Sequence, residues 1–230
     1  MLQRIADSAA EIRDRVRAVV PEALDGIAFV GRGSSDNAAM LGRYASELAA
    51  HRPAGLAAPR LHTRYASPVD YRGYLVIGLS QSGATPEVVA TCERLRASGA
   101  VVVVITNDDT SALAAVSDLA LSTDAGAELA VPATKTVTAE MALVLVLAGA
   151  LGDGLAGATE LAAVPGAVSA VLSDDGPPAA LAEVWVGYER LLVTARGLAY
   201  AAALETALKV KETALADPRG TDRHVHAPCR

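Results

Sequence analysis

Aromatic residues make up only 3% of this 230-residue chain, with one Phe and one Trp among them. That scarcity argues against a core of stacked rings and against a base-stacking nucleic-acid surface. The core has to come from Ala, Val and Leu. Cysteine is equally sparse. Cys92 and Cys229 match neither a zinc-ligand spacing nor a disulfide framework, which fits a reducing cytosol. There is no long basic run, the formal net charge is −6 and the pI is near 5.2, so the footprint of a nucleic-acid binder is missing. The longest apolar stretch, Met141–Leu151, falls short of the about 20 residues that span a bilayer. Charges throughout the first twenty residues (Arg4, Asp7, Glu11, Arg13, Asp14, Arg15 and Arg17) rule out a signal-peptide apolar core. A soluble, cytoplasmic protein with a small-molecule partner is expected, and no role for nucleic acid or membrane.

What the chain does have is apolar residues, 52% of the total, enough for a substantial core. Leu2, Ile5, Ala9, Ile12, Val16 and Val19 recur at helical spacing and predict an opening amphipathic helix. Ile27–Val30, Tyr74–Leu79, Val101–Thr106 and Leu119–Ser122 read as strands without polar alternation. Between them the pattern predicts helices over about 37–49, 86–97, a short one near Ser111, and 135–151. His51–Asp70 reads as loop with one short strand. Thr85-Pro86-Glu87 supplies an N-cap, a first-turn proline and an early carboxylate. Continuous apolar strands alternating with helices imply a parallel sheet covered on both faces, a doubly wound α/β fold.

Residues 152–158 form a Gly-rich linker. Beyond it the pattern gives helices over about 159–172 and 178–190, a strand at Leu191–Ala195 and a helix at Ala199–Ala214. Ala195-Arg196-Gly197 follows that strand as Gly31-Arg32-Gly33 follows the first one, a weak internal repeat. The expected organisation is an N-terminal helix (1–26), an α/β domain (27–151), a linker (152–158), an incomplete second α/β unit (159–214) and a divergent tail (215–230).

Two loops carry the chemistry. Gly31-Arg32-Gly33-Ser34-Ser35-Asp36-Asn37 follows the first strand, and Ser80-Gln81-Ser82-Gly83-Ala84-Thr85 follows the Tyr74 strand. In open α/β sheets ligands sit at the carboxyl ends of strands. Glycines there let backbone approach a ligand, and helix N-termini favour an anion. Hydroxyls add directional donors without charge, a combination suited to a phosphate monoester. The alternative is that these hydroxyls merely cap helices, as expected for Thr85. Asp36 occupies the third glycine position of a dinucleotide fingerprint, and no G-K-[ST] follows, so neither nucleotide motif is met.

Ser80-Gln81-Ser82-Gly83-Ala84-Thr85-Pro86 resembles the S-x-S-G-x-T signature of sugar isomerase (SIS) domains, and Gly33-Ser34-Ser35-Asp36-Asn37 resembles their first loop. Gly126–Lys135 is similar to a third element of the isomerase half of glutamine–fructose-6-phosphate aminotransferase and its glutaminase-free relatives, such as glucosamine-6-phosphate deaminase. Ala203–Glu212 is similar to the L-E-x-A-L-K-x-K-E helix of that family's second SIS domain. The resemblance implies that Ser34, Ser35, Ser80, Gln81, Ser82 and Thr85 hold a sugar phosphate and that the backbone around Val131 lines the sugar. It assigns Glu212 to the carboxylate that moves a proton between C1 and C2. It also implies a flavodoxin-like fold, a homodimer and no metal or organic cofactor. Read from spacing alone, Glu205, Lys209 and Glu212 share a helix face where ion pairs form, commonly a solvated one. Thr134 and Lys135 fit a structural role at the start of the next helix equally well.

After Thr213 the resemblance ends. The tail is expected to be a truncated or frameshifted end, and its His224 and His226 lack the further ligands a zinc site needs. The chain shows no glutaminase nucleophile at residue 2, where Leu stands. Isomerase or deaminase chemistry is therefore expected over a glutamine-dependent synthase. The competing expectation is a non-catalytic phosphosugar-binding module or remnant. The module would be regulatory through a protein partner more than through DNA, since the single helix before Ile27 is too little for a helix-turn-helix.

Overall fold

The computed structural model describes residues 1–130, 132–152, 158–186, 188, 190–214 and 224–226. The chain opens with α1 (Leu2–Asp7) and α2 (Ala9–Arg17), which form two segments where the periodicity predicts one helix. Ser8 adopts φ −92°, ψ 4° and breaks the run, while Ile5, Ile12 and Val16 still share the buried face. Then follow β1 (Gly26–Val30), α3 (Ser34–Ala50), β2 (Ala54–Leu56), α4 (Pro59–Thr63), β3 (Tyr74–Ser80), α5 (Pro86–Ala97) and β4 (Val101–Thr106). The short helix α6 (Ala112–Ala115), β5 (Leu119–Ser122) and α7 (Lys135–Leu151) complete this part. The helix α4 lies in the segment expected to be loop, with Pro59 in its first turn, a position that needs no N–H.

All pairings in the main sheet are parallel, in the order β2-β1-β3-β4-β5. Each strand feeds a helix that crosses back over a face, the arrangement of a doubly wound, flavodoxin-like sheet. Successive residues alternate between two cores, as the pleat requires. Ile27, Phe29, Leu75, Ile77, Leu79, Val103, Ile105 and Leu121 pack with α1, α2, α3 and α7. Ala28, Val30, Val76, Val102 and Val104 pack with Val88, Cys92 and Leu95 of α5 and Leu113 of α6. Phe29, the single Phe, fills space that Gly42 leaves open on α3. A Cβ at Gly42 would sit 2.5 Å from its ring.

The remaining described elements are α8 (Ala158–Leu172), α9 (Gly176–Trp185), β6 (Arg190–Leu192), α10 (Ala199–Ala214) and β7 (His224–His226). The strand expected to run to Ala195 stops at Leu192, and α9 ends at Trp185 instead of continuing to Arg190. β6 pairs with β7 in parallel, and α10 packs against α3. The internal repeat has a backbone counterpart. Gly33 and Gly197 both take positive φ (+60° and +59°), and each carbonyl accepts from the N–H three residues on, Asp36 and Tyr200. No helix among the described residues is long and apolar enough to cross a membrane.

Candidate functional site

The strand order reverses between β1 and β3, which opens a crevice at their carboxyl ends, the usual ligand position of such sheets. The two hydroxyl-rich loops leave the sheet there. In the first, Gly33 turns the chain at φ +60° so that α3 starts at once, and Ser34 and Ser35 lie in its first turn and not in a preceding loop. Gly31 is needed for close approach, since a Cβ on it would stand 2.8 Å from the Ser35 carbonyl. In the second loop Gly83, at φ +59°, passes so close to α6 that a Cβ would meet Ser111 Oγ at 2.0 Å.

Hydrogen bonds fix this second loop from below. Asn107 N–H and Thr106 Oγ1 donate to the Gln81 carbonyl at 3.0 and 3.3 Å, and Leu113 N–H donates to the Gly83 carbonyl. Thr85 stands at the N-cap of α5, but its hydroxyl makes no cap hydrogen bond. It lies 3.0 Å from Ser80 Oγ instead. The expected capping role is therefore not met. Helix α3 likewise has no side-chain cap. Two helix N-termini thus meet the crevice without side-chain caps, a favourable setting for an anion.

A cavity of about 220 Å³ occupies the crevice, lined among others by Arg32, Ser34, Ser35, Ser80, Gln81, Ser82, Thr85, Glu140, Lys209 and Glu212. Every expected site residue except Val131 lines it; Val131 lies outside the described residues. Glu212 arrives from α10, which is tied to α3 where Asn37 Nδ2 donates to Glu205 Oε2 at 2.8 Å. Lys209 Nζ sits between the two acids, 3.3 Å from Glu205 Oε1 and 2.8 Å from Glu212 Oε2. The ion pairs expected from the spacing are present, and the face is solvated only at its Glu212 end. The Lys209 and Glu205 side chains are only 18% and 12% exposed. With Lys209 held by two carboxylates and Arg32 by Glu87 at the rim, neutral donors are left to hold an anion.

The Gly126–Lys135 segment closes another side. Glu128 Oε2 accepts from Thr136 N–H and Thr136 Oγ1 at 2.9 and 3.0 Å, so Glu128 caps α7 in place of Thr134. Burial works to raise the Glu128 carboxyl, but the Thr136 hydrogen bonds outweigh it and hold the group below its ordinary range. Lys135 Nζ donates to the Ala127 carbonyl. Asn107 joins this segment to the β4 end, donating to the Gly126 carbonyl and accepting from Thr123 Oγ1 and Ala125 N–H.

Glu140, absent from the expected set, lies at the inner wall. It is 1% exposed, accepts from Ser35 Oγ at 2.9 Å, and its carboxyl is pushed up to about 8, chiefly by burial. The sequence marked the position without its role: Glu140 is the one acid in the largely apolar helix Lys135–Leu151. It follows Thr136 by one turn, on the same face. His224 and His226 fall in β7, and among the described residues no cluster of His, Cys, Asp or Glu that could hold a metal occurs.

A flavodoxin-like sheet with uncapped helix ends and hydroxyl loops at its switch point defines a small-anion-binding α/β domain. The chain belongs to the SIS domain family, whose model matches residues 25–150. It is similar to glutamine–fructose-6-phosphate aminotransferase 1 of Arabidopsis thaliana, with 34% identity over 84% of this chain and 30% of the relative. The aminotransferase of Mycobacterium tuberculosis is 31% identical over 96% of this chain and 39% of its own length. The chain thus spans about a third of the curated relatives it matches. Among solved structures, a candidate phosphosugar isomerase of Silicibacter pomeroyi superposes with a TM-score of 0.86 at 31% identity, covering 99% of this chain and 67% of that one. The C-terminal domain of the Francisella tularensis glucosamine–fructose-6-phosphate aminotransferase gives 0.74 at 25%, covering 99% and 68%.

Proposed function

We propose that this chain binds a sugar phosphate of amino-sugar and hexose-phosphate metabolism and derives from an aldose–ketose isomerase or glucosamine-6-phosphate deaminase. The observation that carries the reading is the convergence of Glu212, from α10, with the hydroxyls of Ser34, Ser35, Ser80, Ser82 and Thr85 in one cavity. In this reading the SIS domain of 27–151 binds, and the partial second unit of 159–214 supplies the base. The phosphate is held by those hydroxyls, by Gln81 and by the N-termini of α3 and α5, while the backbone around Val131 lines the sugar.

With the phosphate anchored, the carbonyl end of an open-chain sugar extends toward α10. Glu212 removes the proton from the carbon beside the carbonyl, the electron pair moves into an enediolate, and the hydroxyl proton passes between O2 and O1 by way of solvent. The same carboxyl returns the proton to the neighbouring carbon, which exchanges aldose for ketose with no net change in atoms. Such a base needs placement within hydrogen-bond reach, and the Lys209 contact fixes its orientation. The reading includes a cytoplasmic homodimer. Apolar side chains standing open on α8 and α9, such as Val171, Leu172 and Val184, support association, since soluble monomers rarely leave such groups clustered.

The test is proton NMR of the purified chain with glucosamine 6-phosphate in D2O, at near-stoichiometric concentration. Loss of the C2 proton signal or growth of fructose 6-phosphate, abolished in Glu212→Gln, is the expected result. An unchanged spectrum with retained line-broadening would leave a binding module, and no broadening would reject the ligand class.

A further inference from the structure

Glu140 and Ser35 share one hydrogen bond at the inner wall of the cavity, 2.9 Å from Oγ to Oε1. A serine hydroxyl has a single proton to give, and an ionised carboxylate can only accept. While Glu140 is anionic, Ser35 must therefore spend its proton on Glu140 and has none for a ligand. Once Glu140 is protonated, the carboxyl donates to Ser35 Oγ and the serine proton is free to turn into the cavity. We infer that Glu140 is a positioning residue whose protonation decides whether Ser35 donates to the bound phosphosugar, so that ligand binding takes up a proton. This rests on the sugar-phosphate reading of the site.

Three further observations support it. No other group among the described residues hydrogen-bonds the Glu140 carboxyl, and the residue lines the cavity. The Glu205 charge on α10 acts on it, the charged groups that line the same cavity are Lys209 and Glu212 on α10 and Arg32 in the β1–α3 loop, and α3 contributes the Ser35 hydroxyl. Those on α10 already sum to one negative charge, so an ionised Glu140 would add a second beside a phosphate. Burial holds this carboxyl at about 8, within reach of neutral pH, and an anionic ligand would drive it further toward the neutral form. Among the described residues no histidine lines the cavity, and the Cys92 thiol, pushed up to about 12 by burial, lies in the opposite core.

The test is calorimetric titration with fructose 6-phosphate between about pH 7.5 and 9.5, where a phosphate monoester stays dianionic because its second pKa is about 6. Buffers of differing ionisation enthalpy report the protons taken up. The wild-type chain is expected to weaken on the order of tenfold across this window, with uptake approaching one proton. Glu140→Gln, whose amide donates to Ser35 at every pH, is expected to bind with a flat profile and no uptake. Ser35→Ala is expected to bind more weakly at the lower pH and to lose most of the slope. A flat wild-type profile, or an undiminished slope in either variant, overturns the inference and leaves the ligand reading intact. A slope that survives only in Ser35→Ala assigns the effect to direct repulsion and overturns the relay. Absence of fructose 6-phosphate binding by the wild type at the lower pH refutes the ligand reading itself and this inference with it.

Discussion

Replacing Glu140 by Gln should change how folding responds to pH, with no ligand present. The folded chain holds this carboxyl near 8, first through burial, with the Glu205 charge adding to the rise and the Ser35 hydrogen bond opposing it; the ordinary value is 4.5. Between these two values the folded state keeps a proton that the unfolded chain has released. Protons bound in the native state then exceed those bound in the unfolded state, so stability falls as pH rises. The loss starts near the ordinary value and levels off above the raised one. Its full size is roughly 3–5 kcal/mol, against a net stability of about 5–15 kcal/mol for a typical domain. Gln has nearly the same shape, keeps a hydrogen bond to Ser35 and carries no titrating proton. Urea unfolding followed by circular dichroism should find variant and wild type alike at about pH 5, with the variant pulling ahead by a few kcal/mol at about pH 8 to 9. A difference that is constant over that range would refute the reasoning, as would a wild type that gains on the variant toward alkaline pH.

Other substitutions probe the frame of the site. Gly83→Ala must place a Cβ 2.0 Å from Ser111 Oγ at φ +59°. A loss of roughly 1–3 kcal/mol in thermal unfolding is expected, together with weaker fructose 6-phosphate binding. Asn107→Ala removes the side chain that ties the β4 end to Thr123, Ala125 and Gly126. It should cost about 1–3 kcal/mol, and faster amide exchange at Ala125 would locate the damage. Asn37→Ala cuts the link from α3 to Glu205; isotopic exchange at C2 of glucosamine 6-phosphate should slow by more than the Kd for that sugar rises, and an equal loss in both would count against α10 being positioned by this contact.

Much of the fold was legible because apolar patterning is a local signal. Val101–Thr106, Leu119–Ser122 and Lys135–Leu151 appear with the expected bounds, since β-branched runs and long apolar helices leave little choice of state. Boundaries set by single dihedrals were not legible. Ser8 splits the opening helix, and the positive φ of Gly33 lets α3 begin three residues before the expected Asn37. The hydroxyl loops could be read as a binding site because their residue types match the chemistry of an anion. Thr85 shows the limit of that reasoning, since N-cap spacing alone could not say that its hydroxyl would turn toward Ser80. Glu212 was reached through family resemblance and not through its spacing, which is equally that of a surface ion pair. Glu140 went unassigned because a lone acid in a largely apolar helix marks a position without naming its role, and only tertiary structure supplies its neighbour, Ser35.

The cavity draws its hydroxyls from the first turn of α3 and the β3–α5 loop, and its carboxylates from the helices α7 and α10. Heredity can therefore act on the two sets separately. A lineage that loses the acid on α10 keeps every hydroxyl that lines the cavity, and a lineage that alters the hydroxyl-bearing turns keeps its carboxylates in place. Descendants of one ancestral chain can become sensors or enzymes through a handful of codons, with the same sheet inherited by both.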